Sequence, residues 1–418
     1  MGKIASIGLA VLLVGIAVVT DAQNHATPRD LQSPDNAGFA LVTEWGAVCD
    51  GVTDDGAAIQ KALNAVAGTY RPLLINGQCA TSVGLVSRHD GLNPLVIECT
   101  NDASLVWIGP DNSGTLLTLG DPAGTDHEQK FSLRGCILGG SDKSHRPATA
   151  LLLHNVAMTV IEDNTITYAN TGIICDINCI LNEFDRNFFL ATWGTGLALV
   201  DANSNSVEHN EFYWCGTYCI DVQNGDSNLI FANDFEGTVG GPNSNGGRTL
   251  ASVHLHGWAN RLIANRYEDA NAAAGSAMRS VIADGDRTTA ILIANSYGWN
   301  ITPGGPTHFI AINGGELEFE GEQIGNPPPG GGSIVELNAT TKSAWYGGTN
   351  CDADNIWGGQ NPSLGISIAA CGGQYQSNVL NFAKGATVNG LAVTPGGKQP
   401  LCIDPSNNVI YRGSGGAC

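Results

Sequence analysis

Apolar residues in the middle of this chain fall in short runs bounded by Asn and Gly, such as Leu229-Ile230-Phe231-Ala232 and Leu262-Ile263-Ala264. No stretch there carries a sustained helical stripe, so the runs read as strands. A ladder of asparagines sets their spacing: Asn164, Asn187, Asn210, Asn233, Asn265 and Asn295, with three intervals of 23 residues followed by intervals of 32 and 30. Two residues after each stands a bulky apolar side chain: Ile166, Phe189, Phe212, Phe235, Tyr267 and Tyr297. Strand-length runs at this period predict an all-β solenoid, a single-stranded right-handed parallel β-helix with one coil per repeat. The asparagines are expected to bond from coil to coil inside it, and the aromatic column to stack in the core.

A second strand follows in each coil, at 172–176, 196–200, 219–223, 252–256, 280–284 and 309–313. Alternation turns Ile173/Cys175, Leu197/Leu199, Ile220/Val222, Val253/Leu255, Val281/Ala283 and Ile310/Ile312 inward, all apolar. The outward set then includes Asp176, Asp221, Gln223, His254, His256 and Asp284, on coils about 4.8 Å apart. Three residues after each asparagine, a neighbouring strand brings Glu236 and Glu268 onto adjacent coils with Asp269 beside the second. The longer intervals place extra loops in the same coils, where loops wall a groove. Trp193, Trp214, Trp258 and Trp299 fall at coil turns, where an exposed indole suits a sugar ring and a buried one suits packing.

The ends read differently. Lys3, the apolar run 4–19 and the small residues at 20–22 predict a secretory signal peptide over residues 1–22. Met1-Gly2 with Ser6 also fits a myristoylation pattern, but the apolar run favours the signal. A leader over 23–40 precedes a β-helix over 41–325. Ala58, Ile59, Ala62, Leu63 and Val66 form a helical stripe in its first part, after the capping residues Thr53, Asp54 and Asp55. A Pro/Gly linker and further strand-rich segment occupy 326–390, and a hairpin-like, disulfide-stapled tail 391–418.

All 12 cysteines follow the signal, an even number that favours disulfides in a secreted chain. Cys175/Cys179, Cys215/Cys219, Cys402/Cys418, Cys351/Cys371 and Cys79/Cys99 are the candidate pairs. A four-thiolate metal site is the alternative for the closely spaced ones. The net charge of −20 opposes binding to nucleic acid and to anionic membranes. Five of the 12 arginines nonetheless lie between Arg248 and Arg287, which would suit an anionic ligand.

The string WGAVCDGVTDDGAAIQKAL, residues 45–63, resembles the N-terminal cap of the pectate-lyase-like superfamily of right-handed β-helix proteins. Cap and coils together cover residues 40 to 320. The resemblance implies action on polysaccharides: its members include hydrolases, lyases, epimerases and phage tailspikes. The Asn-Thr-Asp, Asp-Asp and Gly-His-Gly sets of the polygalacturonase-like hydrolases are missing from these coils, as is the Asp-Pro-His-Glu string of the alginate epimerases.

The expectation is a secreted glycoside hydrolase with Asp221, Glu236, His254, His256, Glu268 and Asp284 as catalytic candidates. Asp176, Gln223, Trp214, Trp258, Asp269, Arg279 and Arg287 are candidates to hold a polysaccharide. Asp221 with Asp284, or Glu236 with Glu268, would supply the two carboxyl groups that hydrolysis needs. No metal or cofactor is expected. A lyase or epimerase would instead need a base such as His254 or His256, with Arg279, Arg287 or calcium to neutralise a uronate carboxylate. A non-catalytic, tailspike-like attachment protein is the third reading, and a homotrimer is compatible with it.

Overall fold

The structure, a computed structural model, describes residues 38–88, 94–100, 102–123, 128–236, 250–268, 279–298, 310–320 and 322–324. Beyond them it describes strands at 335–337, 343–347, 357–359, 365–369, 401–404 and 409–412. The expected signal peptide, most of the leader, Asp269, Trp299 and the Cys351/Cys371 and Cys402/Cys418 pairings lie outside the described residues.

Each coil lays down three strands. Around Asn164 they are Val160–Glu162, Thr165–Thr167 and Thr171–Asp176. One coil later they are Glu183–Asp185, Phe188–Leu190 and Leu197–Val200. Coil upon coil, these strands stack into three parallel sheets of 13, 11 and 11 strands, here the first, second and third in chain order. The architecture is the all-β parallel β-helix that the repeat predicts. Its stacking continues past residue 325 through Val335–Leu337, Ser343–Gly347, Trp357–Gly359 and Gly365–Ala369. Leu401–Asp404 and Val409–Arg412 form an antiparallel hairpin.

The register of the third sheet follows from hydrophobic alternation. Ile173, Leu197, Ile220, Val253, Val281 and Ile310 align coil by coil. All six are fully buried. In the second sheet Phe189, Phe212, Phe235, Tyr267 and Tyr297 form a column of stacked rings with centroids 4.4 to 5.2 Å apart.

The turn from the first sheet to the second takes two residues. Its first member, at Asp163, Arg186, His209, Ala232, Ala264 and Ala294, has φ between 52° and 56°. Left-handed backbone costs an L-residue about 1–2 kcal/mol. The asparagine that follows offsets this by satisfying the backbone of the turn. Asn210 shows how: its Nδ2 donates to the Phe184 carbonyl (2.8 Å), the Glu208 carbonyl (2.9 Å) and Asn233 Oδ1 (3.0 Å). Its Oδ1 accepts from the amide and Nδ2 of Asn187, at 2.8 and 3.0 Å. A second ladder, Asn182, Asn205, Asn228 and Asn260, does the same work at the turn into the first sheet. The first ladder ends on an acid. Asn295 Nδ2 donates to Glu322 Oε1 at 3.1 Å, and Glu322 is buried. Burial pushes that carboxyl up to about 8, against opposing hydrogen bonds from Asn295 and Tyr297.

The capping helix is Gly56–Val66, with Ile59, Ala62, Leu63 and Val66 buried beneath it. Asp54 Oδ1 accepts from the Gly56 amide at 3.1 Å. Asp55 faces the other way: its buried carboxylate accepts from the amides of Val48 (2.6 Å) and Cys49 (2.9 Å), fixing the preceding turn instead of capping the helix. Among the described residues four disulfides are present: Cys49–Cys79, Cys99–Cys136, Cys175–Cys179 and Cys215–Cys219. The last two close the short loops expected. The Cys79/Cys99 pairing does not form, because the coil register sets Cys79 beside Cys49 and Cys99 beside Cys136.

Two outcomes test this account of the interior. Asn210→Ala removes bonds at a buried corner and should cost about 2–4 kcal/mol by denaturant titration. Glu322 keeps its proton in the folded state until about pH 8, whereas a free carboxyl loses it near 4.5. Folded stability therefore falls as pH rises across that window. Glu322→Gln should flatten the fall and exceed wild type in melting temperature at pH 8.

Candidate active site

Outward residues of the third sheet form two columns. Ile174, Ala198, Asp221, His254 and Ile282 make one, and Asp176, Val200, Gln223 and His256 the other. The strands that carry the polar members are Tyr218–Gln223, Ala251–His256 and Arg279–Asp284. Their apolar inward residues lock the strands to the core, so the outward side chains start from a rigid floor.

On that floor His254 is held between two carboxylates. Its Nδ1 lies 2.7 Å from Asp221 Oδ1, and its Nε2 lies 3.1 Å from Asp284 Oδ1. The side chains of Asp221 and His254 are 7% and 14% exposed and that of Asp284 is 42% exposed, so Asp284 is the member that meets solvent. Gln223 Nε2 donates to Asp221 Oδ2 at 2.6 Å, fixing the buried acid. The Tyr218 ring stacks on the imidazole, with centroids 4.7 Å apart and planes at 17°. Burial opposes charge on His254, but the hydrogen bond and charge of Asp221, joined by Asp284, outweigh it and raise the imidazole pKa above its ordinary 6.5. With both ring nitrogens donating, the imidazolium is the favoured form. Burial and then the charges of Asp221 and Asp284 raise the Tyr218 phenol, keeping it protonated. The centre therefore offers a charged proton donor beside a half-exposed carboxylate.

Gly285 follows Asp284 with φ +94°, and a Cβ there would lie 2.5 Å from the His256 ring. His256, Trp258 and Arg287 line a concavity of about 880 Å³ at the turn out of the third sheet. Trp214 stands at the turn into that sheet, 57% exposed and stacked on Tyr213 at 4.9 Å. The third sheet thus carries an exposed indole at each edge.

The structure brings Asp221, Gln223, His254 and Asp284 together, and places the other candidates elsewhere. Asp176 lies further along the same sheet, with Oδ1 2.7 Å from His154 Nδ1. Glu236 and Glu268 align on adjacent coils, but on the second sheet. There Arg266 joins Asp234 at 2.7 Å, Glu236 at 3.5 Å and Glu268. Burial, then the charges of Asp234, Glu268 and Glu211, raises the Glu236 carboxyl. Arg279 is buried and engaged by Glu336, with Nη2 to Oε2 at 2.7 Å. Tyr218 and His154 were not anticipated. Strict alternation from Ile220 and Val222 would turn Tyr218 inward, but Cys219, tied to Cys215, fills the core there and Tyr218 stays partly exposed.

Residues 126–260 match the family model described as the right handed beta helix region. With the three-sheet coil architecture, this match makes the fold a right-handed parallel β-helix, the fold that the resemblance implied. No curated protein matches the chain in sequence. Among solved structures it is similar to DFA-IIIase from Arthrobacter chlorophenolicus A6, at 12% identity over 79% of this chain and 86% of that one, with a TM-score of 0.54. The same enzyme without its lid gives 12% identity over 80% and 99%, with a TM-score of 0.55. The ORF18 protein of Geobacillus virus E2 is similar at 12% identity and a TM-score of 0.52; the match covers 78% of this chain but only 61% of the viral protein. These likenesses are likenesses of fold.

Asp221→Asn should lower the His254 pKa by removing its hydrogen-bonded charge, read by NMR titration of the ring protons. An unchanged titration would mean that Asp221 does not hold the imidazolium.

Proposed function

We propose that this chain is a secreted glycoside hydrolase whose reaction centre is Asp221, His254 and Asp284 on the third sheet. The observation that carries the reading is the imidazole of His254 clamped between two carboxylates from flanking coils. Asp221, buried and fixed by Gln223, keeps His254 charged and oriented. His254 Nε2 gives its proton to the glycosidic oxygen as the leaving sugar departs. Asp284, the exposed carboxylate, attacks the anomeric carbon from the other side and forms a glycosyl ester. Water then hydrolyses the ester, with His254 taking back a proton. His254 and Asp284, in contact at 3.1 Å, would have to part to about 5 Å to flank a bond in the retaining geometry, a smaller opening than the inverting one needs. Substrate entry would break their direct hydrogen bond.

Uronate elimination is less well supported. It needs a base with a free lone pair, and both nitrogens of His254 face carboxylates. It also needs a cation for the substrate carboxylate, and Arg279 is already engaged by Glu336. The likeness in fold to DFA-IIIase is in keeping with an enzyme on this scaffold. Four disulfides support an oxidising compartment. No described helix is long and apolar enough to cross a membrane.

The test is incubation with neutral and acidic polysaccharides, following new reducing ends and unsaturated-uronate absorbance together. Reducing ends without the absorbance are expected, with kcat falling about 10²–10⁴-fold in Asp284→Asn and little change in Glu268→Gln. Both signals together would establish a lyase. Neither signal on any substrate would leave a binding or attachment role. The alkaline limb of the pH profile should lie above pH 6.5, because the proton donor is lost as pH rises through the raised His254 pKa.

A further inference from the structure

We propose that the concavity at the turn out of the third sheet is a subsite for a neutral sugar residue, so that the substrate is a neutral glycan and not a polyuronate. The inference rests on reading the Asp221–His254–Asp284 centre as a glycosidase. His254 and His256 are successive outward residues of one strand, roughly 6.6 Å apart, so the concavity continues the reaction centre by about one saccharide step. Asp284 is joined to it through Gly285, Asp286 and Arg287.

The concavity has a built platform. Trp258 is 60% exposed, yet its backbone is clamped from the preceding coil. Its amide donates to Asp226 Oδ1 at 2.7 Å, and its carbonyl accepts from the Ser227 amide at 2.8 Å. Gly257 just before it has φ +147° and packs against Gly225, whose carbonyl oxygen a Cβ would meet at 2.1 Å. A large indole held on a fixed backbone and left open to solvent offers a flat apolar face with a polar edge to a ligand. The C–H face of a pyranose is such a ligand. The volume of about 880 Å³ lies within the range of sites that hold small ligands.

Charge selects among sugars. Asp201, Asp226, Asp286 and Glu316 line the concavity, against a single guanidinium, Arg287. Carboxylates accept hydrogen bonds from sugar hydroxyls, often in pairs. They repel a uronate carboxylate, and one guanidinium does not offset four acids. Sequence position alone had put Arg287 in an arginine-rich stretch suited to an anionic ligand. The fold surrounds it with acids and sends Arg266 and Arg279 to partners of their own.

Calorimetry on full-length Asp284→Asn, which should bind without cutting, tests the proposal with cellohexaose, mannohexaose, xylohexaose, maltohexaose and hexagalacturonate. At least one neutral hexamer should bind, at least about tenfold tighter than hexagalacturonate. Adding Trp258→Ala should weaken that binding by about tenfold, the loss of one stacking ring. Adding Glu316→Lys should raise hexagalacturonate affinity. Tighter binding of hexagalacturonate than of every neutral hexamer, binding indifferent to Trp258→Ala, or no binding by any hexamer would each overturn the subsite. The two readings fail separately. Trp258-dependent binding with no cleavage by wild type keeps the subsite and removes the hydrolase. Asp284-dependent cleavage with KM unmoved by Trp258→Ala keeps the hydrolase and removes the subsite.

Discussion

Everything in this molecule depends on turning a strand through a tight corner inside a dry core. A β-helix must bend its backbone at every coil, and each bend points amides and carbonyls at neighbours that do not lie in a sheet. Left unpaired, such groups cost more than the hydrophobic contacts around them return. The asparagine ladders answer this constraint with one side chain, whose amide supplies a donor and an acceptor in the direction of the coil axis. The left-handed residue before each asparagine of the first ladder is the strain that this bonding holds in place. Once corners are satisfied, each asparagine marks the same corner of its coil whether 23 or 32 residues separate it from the next, and the register of the sheets is kept.

Register is what turns a scaffold into a site. Asp221, His254 and Asp284 are distant in sequence, yet three consecutive coils bring them to one face because Ile220, Val253 and Val281 share one inward column. The side chains then tune one another. Gln223 fixes Asp221, Asp221 holds His254 charged, and Tyr218 covers the imidazole face. Where the same coils carry acids on the second sheet, the Arg266 guanidinium bridges them. Sheet position therefore separates the proposed reaction centre from an ion-pair cluster of similar composition.

Much of this was legible in the sequence because the signals were periodic. The asparagine spacing gave the coil, and apolar alternation gave the register of the third sheet and the stack from Phe189 to Tyr297. The second ladder carries the same spacing, but its flanking strands are less distinctive. What remained hidden depends on local departures from period. Cys219 replaces Tyr218 in the core, so alternation misdirects the tyrosine. Asp55 turns back to the Val48 and Cys49 amides, although its position suits a helix cap. Of the acids beside Arg287, Asp201, Asp226 and Asp286 come from turns, where alternation has no meaning, and Glu316 opens a first-sheet strand; only the stacked coils show that they meet. Cysteine pairing likewise follows the coil register, which joins Cys49 to Cys79 across one full turn.

The central claim is that the third-sheet centre adds water across a glycosidic bond. Digestion of a cleaved glycan in 18O-labelled water, with mass spectrometry of the products, tests it most directly. The account predicts that each new reducing end carries the label, in the configuration of the original linkage, and that Asp284→Asn abolishes its incorporation. Unlabelled products bearing a double bond, or labelled products formed undiminished by Asp284→Asn, would contradict it.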